Sequence, residues 1–186
     1  MDNNPSQHPP RTLVLIGFMG SGKSTIGRML HEQLGYRLID TDLLIEERHG
    51  MSISDIFAQH GEPAFRDMET VLLRELIQDD PANRIISTGG GIILREENRK
   101  LLRRLGFVAW LKAPFSEILE RTSRNDDRPL LQTRNPESAI KTMMSEREPL
   151  YDEAAHLKLN TGELNIGESC TGIIECASYH FAQQNQ

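Results

Sequence analysis

Short apolar runs alternate with longer stretches of helical periodicity along this chain. The first is Thr12-Leu13-Val14-Leu15-Ile16, which has the length and branching of a buried strand. Ile26, Met29, Leu30 and Leu34 then recur at helical spacing, and Gly35 is placed to stop that helix. Tyr36 to Asp42 reads as a short second strand ending in carboxylates. Helical material is expected from about Leu43 to Asp80, broken near Gly50 and again at Gly61-Glu62-Pro63. Arg84 to Thr88 predicts a third strand, Arg95 to Arg104 a basic helix, and Phe107 to Leu111 a fourth strand. Pro114 opens a helix running through Arg121. A helix from about Glu137 to Ala155 leads into a fifth strand at His156 to Asn160, and a last helix ends the chain. Strands separated by helices predict βα units, a parallel sheet and an α/β fold.

The bulk properties narrow the function classes. A chain of 186 residues is expected to form one domain with a real core. A formal charge of −6 argues against nucleic acid or an anionic membrane as the main partner. No apolar run approaches the ~20 residues that a membrane span needs. Residues 1–10 are polar and contain proline, without the basic start and apolar core of a signal peptide, and are expected to be a disordered leader ahead of a domain at 11–186. Cys170 and Cys176 match no metal spacing and no disulfide framework, and read as small buried side chains of the terminal helix. A cytoplasmic protein is expected.

The chemistry is concentrated first in Gly17-Phe18-Met19-Gly20-Ser21-Gly22-Lys23-Ser24-Thr25. This stretch fits G-x-x-x-x-G-K-[ST] and lies between a predicted strand and a predicted helix, the context the motif requires. Glycines let backbone N–H groups turn inward around an anion, and the helix N-terminus adds its own N–H groups and partial positive charge. Lys23 can reach the β- and γ-phosphates, and the Ser24 hydroxyl can ligate Mg²⁺. Gly20, Ser21, Gly22, Lys23, Ser24 and Thr25 are therefore the expected ATP-binding residues.

Ligands of open parallel sheets bind beyond the C-terminal strand ends. Three special segments fall there, the P-loop, Asp40-Thr41-Asp42 and Gly89-Gly90-Gly91, and should meet around one crevice. Asp42 could orient or deprotonate an acceptor hydroxyl or approach Mg²⁺ through water, or it could N-cap the helix starting at Leu43. Arg66 and Glu69 are three apart in a predicted helix, which by default makes a surface pair and otherwise an arginine held ready for a carboxylate. Three consecutive glycines suggest backbone lying against a ligand, with a flexible turn as the plainer alternative. Arg121, Arg124, Arg128 and Arg134 surround a polar, proline-bounded segment at about 122–136. It is either a solvated charge run or a mobile lid that neutralises charge in phosphoryl transfer.

Taken together these segments resemble the shikimate kinases. The matching blocks are Gly17 to Thr25, Ile39-Asp40-Thr41-Asp42 with Ile45-Glu46, and Ser52 to Phe57. They continue with Gly61 to Glu69, Thr88-Gly89-Gly90-Gly91, Arg128-Pro129-Leu130-Leu131 and Arg147-Glu148-Pro149-Leu150-Tyr151, in the family's order from about Leu13 to Asn160. The resemblance implies a three-layer P-loop kinase fold, a five-stranded parallel sheet of order 2-3-1-4-5 with helices on both faces, and transfer of the ATP γ-phosphate to the 3-hydroxyl of shikimate. It implies that Asp42 binds the acceptor hydroxyls and serves as candidate base, and that Arg66 and Arg147 clamp the carboxylate. The glycines at 89–91 would line the acceptor, with the Gly90 backbone bonded to it, in a region formed by about 43–80. Lys23 and Arg128 would stabilise the transferring group, Ser24 would hold Mg²⁺ with Asp40 helping through water, and Arg121 and Arg128 would contact ATP. A monomer is expected. The chain departs from the family pattern at Asn160-Thr161-Gly162-Glu163, where an Asp-Thr start is expected, so the base contacts are not carried over.

Two rival readings remain at this level. One is another small-molecule kinase of the same fold, such as a gluconate kinase or a nucleoside monophosphate kinase. The other is a non-catalytic nucleotide-binding module, although no N-K-x-D stretch for guanine occurs.

Overall fold

Strand β1 (Thr12–Ile16) is buried at all five positions, as its unbroken apolar sequence demands of a strand at the middle of a sheet. The computed structural model describes residues 11–79, 83–123 and 135–184. Around β1 lie β2 (Arg37–Asp40), β3 (Arg84–Ser87), β4 (Phe107–Lys112) and β5 (Leu157–Asn160), in the order β2-β3-β1-β4-β5. Every pairing is parallel, with Leu13 opposite Ile85 on one side and Phe107 on the other. This is the expected sheet, and β1 holds its centre.

Residues alternate between the two faces. Val14 and Ile16 join Ile39, Ile86, Val108 and Trp110 in one core. That core is covered by α2 (Thr41–His49), α3 (Ile53–Gln78), α4 (Glu96–Leu105) and α6 (Pro136–Ala154). Leu13 and Leu15 join Ile85, Ala109 and Leu111 in the other, under α1 (Lys23–Leu34) and α7 (Ile166–Gln184). The period of two along β1 thus feeds two helical layers. A third cluster, around Phe18, Ile118 and Ile140, ties α5 (Phe115–Ser123) and α6 to the P-loop.

Local sequence sets the element ends. Gly35 ends α1 in the left-handed region (φ 65°), its N–H bonded to the His31 carbonyl, and Gly50 ends α2 likewise (φ 62°). Ser52 caps α3 by accepting the Asp55 N–H at 3.1 Å. Inside α3, Gly61 (φ 79°, ψ 164°) breaks the helical path just before Pro63, so both expected interruptions occur.

Two details differ from expectation. The second strand stops at Asp40, because the Asp40 carboxylate accepts the N–H groups of Asp42 at 3.0 Å and Leu43 at 3.4 Å and starts α2 at Thr41. Asp40 is therefore the cap, and Asp42 lies inside the first turn. Of the two cysteines only Cys170 is buried; Cys176 is exposed on α7. Among the described residues no helix is long and apolar enough to cross a membrane.

Candidate active site

The loops after β1, β2 and β3 meet at one end of the sheet, around a cavity of about 490 Å³. Residues 19–26 of the P-loop and α1 line one wall, with Arg121 nearby. Asp40, Asp42 and Gly90 line another. Gly20 (φ 77°) and Gly22 (φ 97°) adopt left-handed backbone, which is why glycine is needed at both. Lys23 Nζ reaches across the loop and donates to the Gly17 carbonyl at 2.8 Å and the Phe18 carbonyl at 3.0 Å. The Arg121 guanidinium donates to the Gly20 carbonyl at 2.8 Å while pairing with Glu117 one turn back.

The triple glycine is held against this wall by its neighbours. Its three members have no left-handed φ. What they provide is space: a Cβ at Gly89 would collide with the Asp42 carboxylate, and one at Gly91 would collide with the Arg66 guanidinium. A Cβ at Gly90 would come within 3.1 Å of the Met19 nitrogen in the P-loop. The Gly89 N–H donates to the Thr41 hydroxyl at 3.1 Å, and the Gly90 carbonyl accepts from the Tyr151 hydroxyl at 2.5 Å. The segment is pinned from α2 and α6 and is no flexible turn.

Asp42 combines burial with a perturbed carboxyl beside the P-loop. Its Oδ1 is buried without a hydrogen-bond partner among the described residues. Burial and the neighbouring Asp40 push its carboxyl up to about 6, against the pull of Lys23 and Arg66. A carboxylate of this kind, beside a P-loop, can accept a proton near neutral pH.

The Arg66–Glu69 pair, expected on the surface, is buried: Arg66 is 7% exposed and Glu69 0%. Arg66 Nη1 donates to Glu69 Oε2 at 2.8 Å, and Nε and Nη2 donate to Glu62 Oε1 at 3.1 and 2.7 Å. Burial raises the Glu69 carboxyl to about 7, with Arg66 pulling the other way. Arg147, from α6, is 6% exposed, lies over the Phe18 ring at 5.5 Å and makes long contacts to the Gly90 carbonyl at 3.4 Å and the Met143 sulfur at 3.8 Å, beside the Tyr151 hydroxyl. No carboxylate among the described residues pairs with it.

Sequence reading missed several participants. Tyr151 stood in a quoted block without a role, yet it anchors Gly90. Glu62 shared a block with Arg66 and proves to be its second partner. Thr161, in the stretch 160–163 already set apart as the base-contacting loop, lines the same cavity together with Leu164, Ile166 and Ser169, which no local motif announced. Arg128 and most of the expected lid lie outside the described residues.

A P-loop facing a recessed carboxylate and two buried arginines defines a phosphotransferase for a small acidic acceptor. A family model for shikimate kinase matches residues 19–178, and the chain belongs to that family. A shikimate kinase of Actinobacillus pleuropneumoniae serotype 5b is 44% identical over 165 residues, 89% of this chain and 94% of its own length. One from Geobacter metallireducens is 44% identical over 168 residues, covering 89% and 92%. The solved structure of shikimate kinase from Acinetobacter baumannii in complex with shikimate aligns with a TM-score of 0.83 at 38% identity, over 91% of this chain and 92% of that one.

Proposed function

We propose that this chain transfers the γ-phosphoryl group of ATP to the 3-hydroxyl of shikimate, giving shikimate 3-phosphate and ADP. The observation that carries the reading is Arg147, a buried guanidinium without a carboxylate partner among the described residues, beside Gly90 and the Asp42 wall. A buried cation lacking a counter-ion is costly, and an acceptor carboxylate supplies one. Family membership and the A. baumannii complex support the acceptor, and the gluconate-kinase and nucleotide-switch readings are not favoured.

The residue roles follow from chemistry. N–H groups of the P-loop segment Gly20 to Thr25 bind the phosphates, and Lys23 neutralises the β- and γ-oxygens. Arg66 and Arg147 hold the acceptor carboxylate against residues 89–91, with α2 and α3 forming the acceptor side. Asp42 orients the acceptor hydroxyl and takes its proton as that oxygen bonds to the γ-phosphorus and the bond to the leaving ADP oxygen breaks. Arg121 lies on the nucleotide side; Arg128, as the resemblance implies, adds charge to the transferring group from outside the described residues. Ser24 and Asp40 face the same cavity and suit Mg²⁺. When bound with ATP, Mg²⁺ neutralises charge on the β/γ oxygens. All of these groups come from one chain, so a monomer suffices, and we assign the reaction to the cytoplasm.

The test is ADP release from ATP and Mg²⁺ with shikimate, set against gluconate and AMP. Saturable release with shikimate alone is expected. Release with another acceptor would overturn the assignment, and silence from all three with ATP still bound would favour a binding module.

A further inference from the structure

The Arg66 guanidinium is engaged on both of its donor edges by carboxylates of its own helix. Glu69 takes Nη1 at 2.8 Å from a fully buried position, and Glu62 takes Nε and Nη2 at 3.1 and 2.7 Å. A guanidinium offers two bidentate edges, so the edge that Glu62 holds is one an incoming carboxylate would need. Two carboxyl groups already share the donors of this one guanidinium, and a third would compete with them for the same N–H groups.

One of the two must yield, and burial decides which. The Glu62 side chain is 42% exposed, whereas that of Glu69 is 0% exposed. Separating Glu69 from Arg66 would leave a fully buried carboxyl without its hydrogen-bond donor, whereas Glu62 needs only a change of rotamer to pass into water. Glu62 also directly follows Gly61, the one non-helical residue inside α3, so it stands at the start of a helical segment and no continuous helix constrains it from before.

We propose that Glu62 is an exchangeable internal carboxylate. It occupies the Nε/Nη2 edge of Arg66, the guanidinium that lies against Gly91, and is displaced by the substrate carboxylate, which makes it a specificity-determining residue for acidic acceptors. A neutral acceptor cannot displace it, whereas an anionic one replaces it charge for charge while Glu69 keeps the guanidinium aimed. The inference rests on Arg66 being a ligand of the acceptor carboxylate.

The experiment is steady-state kinetics of Glu62→Gln, Arg66→Lys and the double variant, with shikimate and ATP varied in turn and folding checked by thermal melting. Lysine keeps a charge beside Glu69 but lacks the fork, so it tests the edge without emptying the pocket. Glu62→Gln is expected to lower the shikimate KM about two- to fivefold, the size of a part-exposed ion pair, and to leave the ATP KM unmoved. In the Arg66→Lys background that gain should disappear. A KM that rises or stays constant in Glu62→Gln, while Arg66→Lys raises it, overturns the exchange and makes Glu62 a positioning residue. A gain that persists without the arginine fork overturns it too. If Arg66→Lys leaves the shikimate KM unchanged, the underlying reading of Arg66 fails instead.

Discussion

The Asp42 carboxylate fills the space that a side chain at position 89 would need, so a Cβ on Gly89 would overlap it. The glycine is therefore required by a residue 47 positions away and not by its own backbone, whose φ is not left-handed. Gly89→Ala should push Asp42 off its position, costing about 1–3 kcal/mol of stability by overpacking. Turnover should fall about ten- to a hundredfold, as misplacement of a reacting group does. Melting and kcat measured together check this; full turnover in a folded variant would show that Asp42 can move without consequence.

Asp42 itself should trade stability for activity. Burial above all pushes its carboxyl up to about 6 in the folded protein, against an ordinary 3.8. The folded state then binds more protons than the unfolded state between those values. Stability is fully present at low pH and is lost as pH rises through about 6. Asp42→Asn should remove that loss, raising stability at pH 7 by about 1–3 kcal/mol while abolishing transfer. Wild-type kcat/KM should in turn rise with an acid limb near 6. A variant no more stable than wild type at pH 7 would argue against a strained, ionised Asp42.

Much of this architecture can be read from the sequence because its signals are local. Unbroken apolar runs mark the strands, left-handed glycines mark the ends of α1 and α2, and the P-loop declares itself through spacing. What could not be read depends on contacts between distant segments. Tyr151 meets Gly90 across 61 residues, and the burial of Arg66 and Glu69 follows from the packing of α3 and not from their spacing. The choice between Asp40 and Asp42 as cap turns on two residues of register between chemically identical side chains. Ser169 joins Thr161 of the base-contacting stretch at the cavity only because β5 and α7 are adjacent, which no motif encodes.

His156 should give a pH dependence of opposite sign. Its Nδ1 accepts the Val108 N–H at 3.0 Å, and its ring packs between Phe107 and His180, 4.6 Å away from the latter. Burial, Arg103 and His180 together hold it down at about 4, against 6.5 normally. The unfolded state thus binds the extra proton between pH 6.5 and 4. The stabilisation is fully present above pH 6.5 and is lost as pH falls through about 4. Across that window the melting temperature of wild type relative to His156→Asn should fall with acidity. Parallel pH profiles for the two proteins would dismiss the effect.

The two arginines assigned to one carboxylate should respond differently to removal, because only one is neutralised by the protein itself. Arg66→Ala would strip buried Glu69 of its hydrogen-bond donor, and a carboxyl already raised to about 7 would then take up a proton, for a loss of about 1–3 kcal/mol. Arg147 leaves no carboxylate behind among the described residues; it lies over the Phe18 ring at 5.5 Å, an interaction of about 0.5–2 kcal/mol, with long contacts to the Gly90 carbonyl at 3.4 Å and the Met143 sulfur at 3.8 Å. Removing it relieves a buried, unpaired cation and forfeits those contacts, so Arg147→Ala should stay within about 1 kcal/mol of wild-type stability. Its cost should appear on binding, with the shikimate KM raised about 30-fold or more and ATP affinity unchanged. Calorimetric titration of each ligand alone, beside a melting curve, separates these contributions. A strongly destabilised Arg147→Ala with normal shikimate affinity would make Arg147 a structural residue and leave Arg66 alone with the carboxylate.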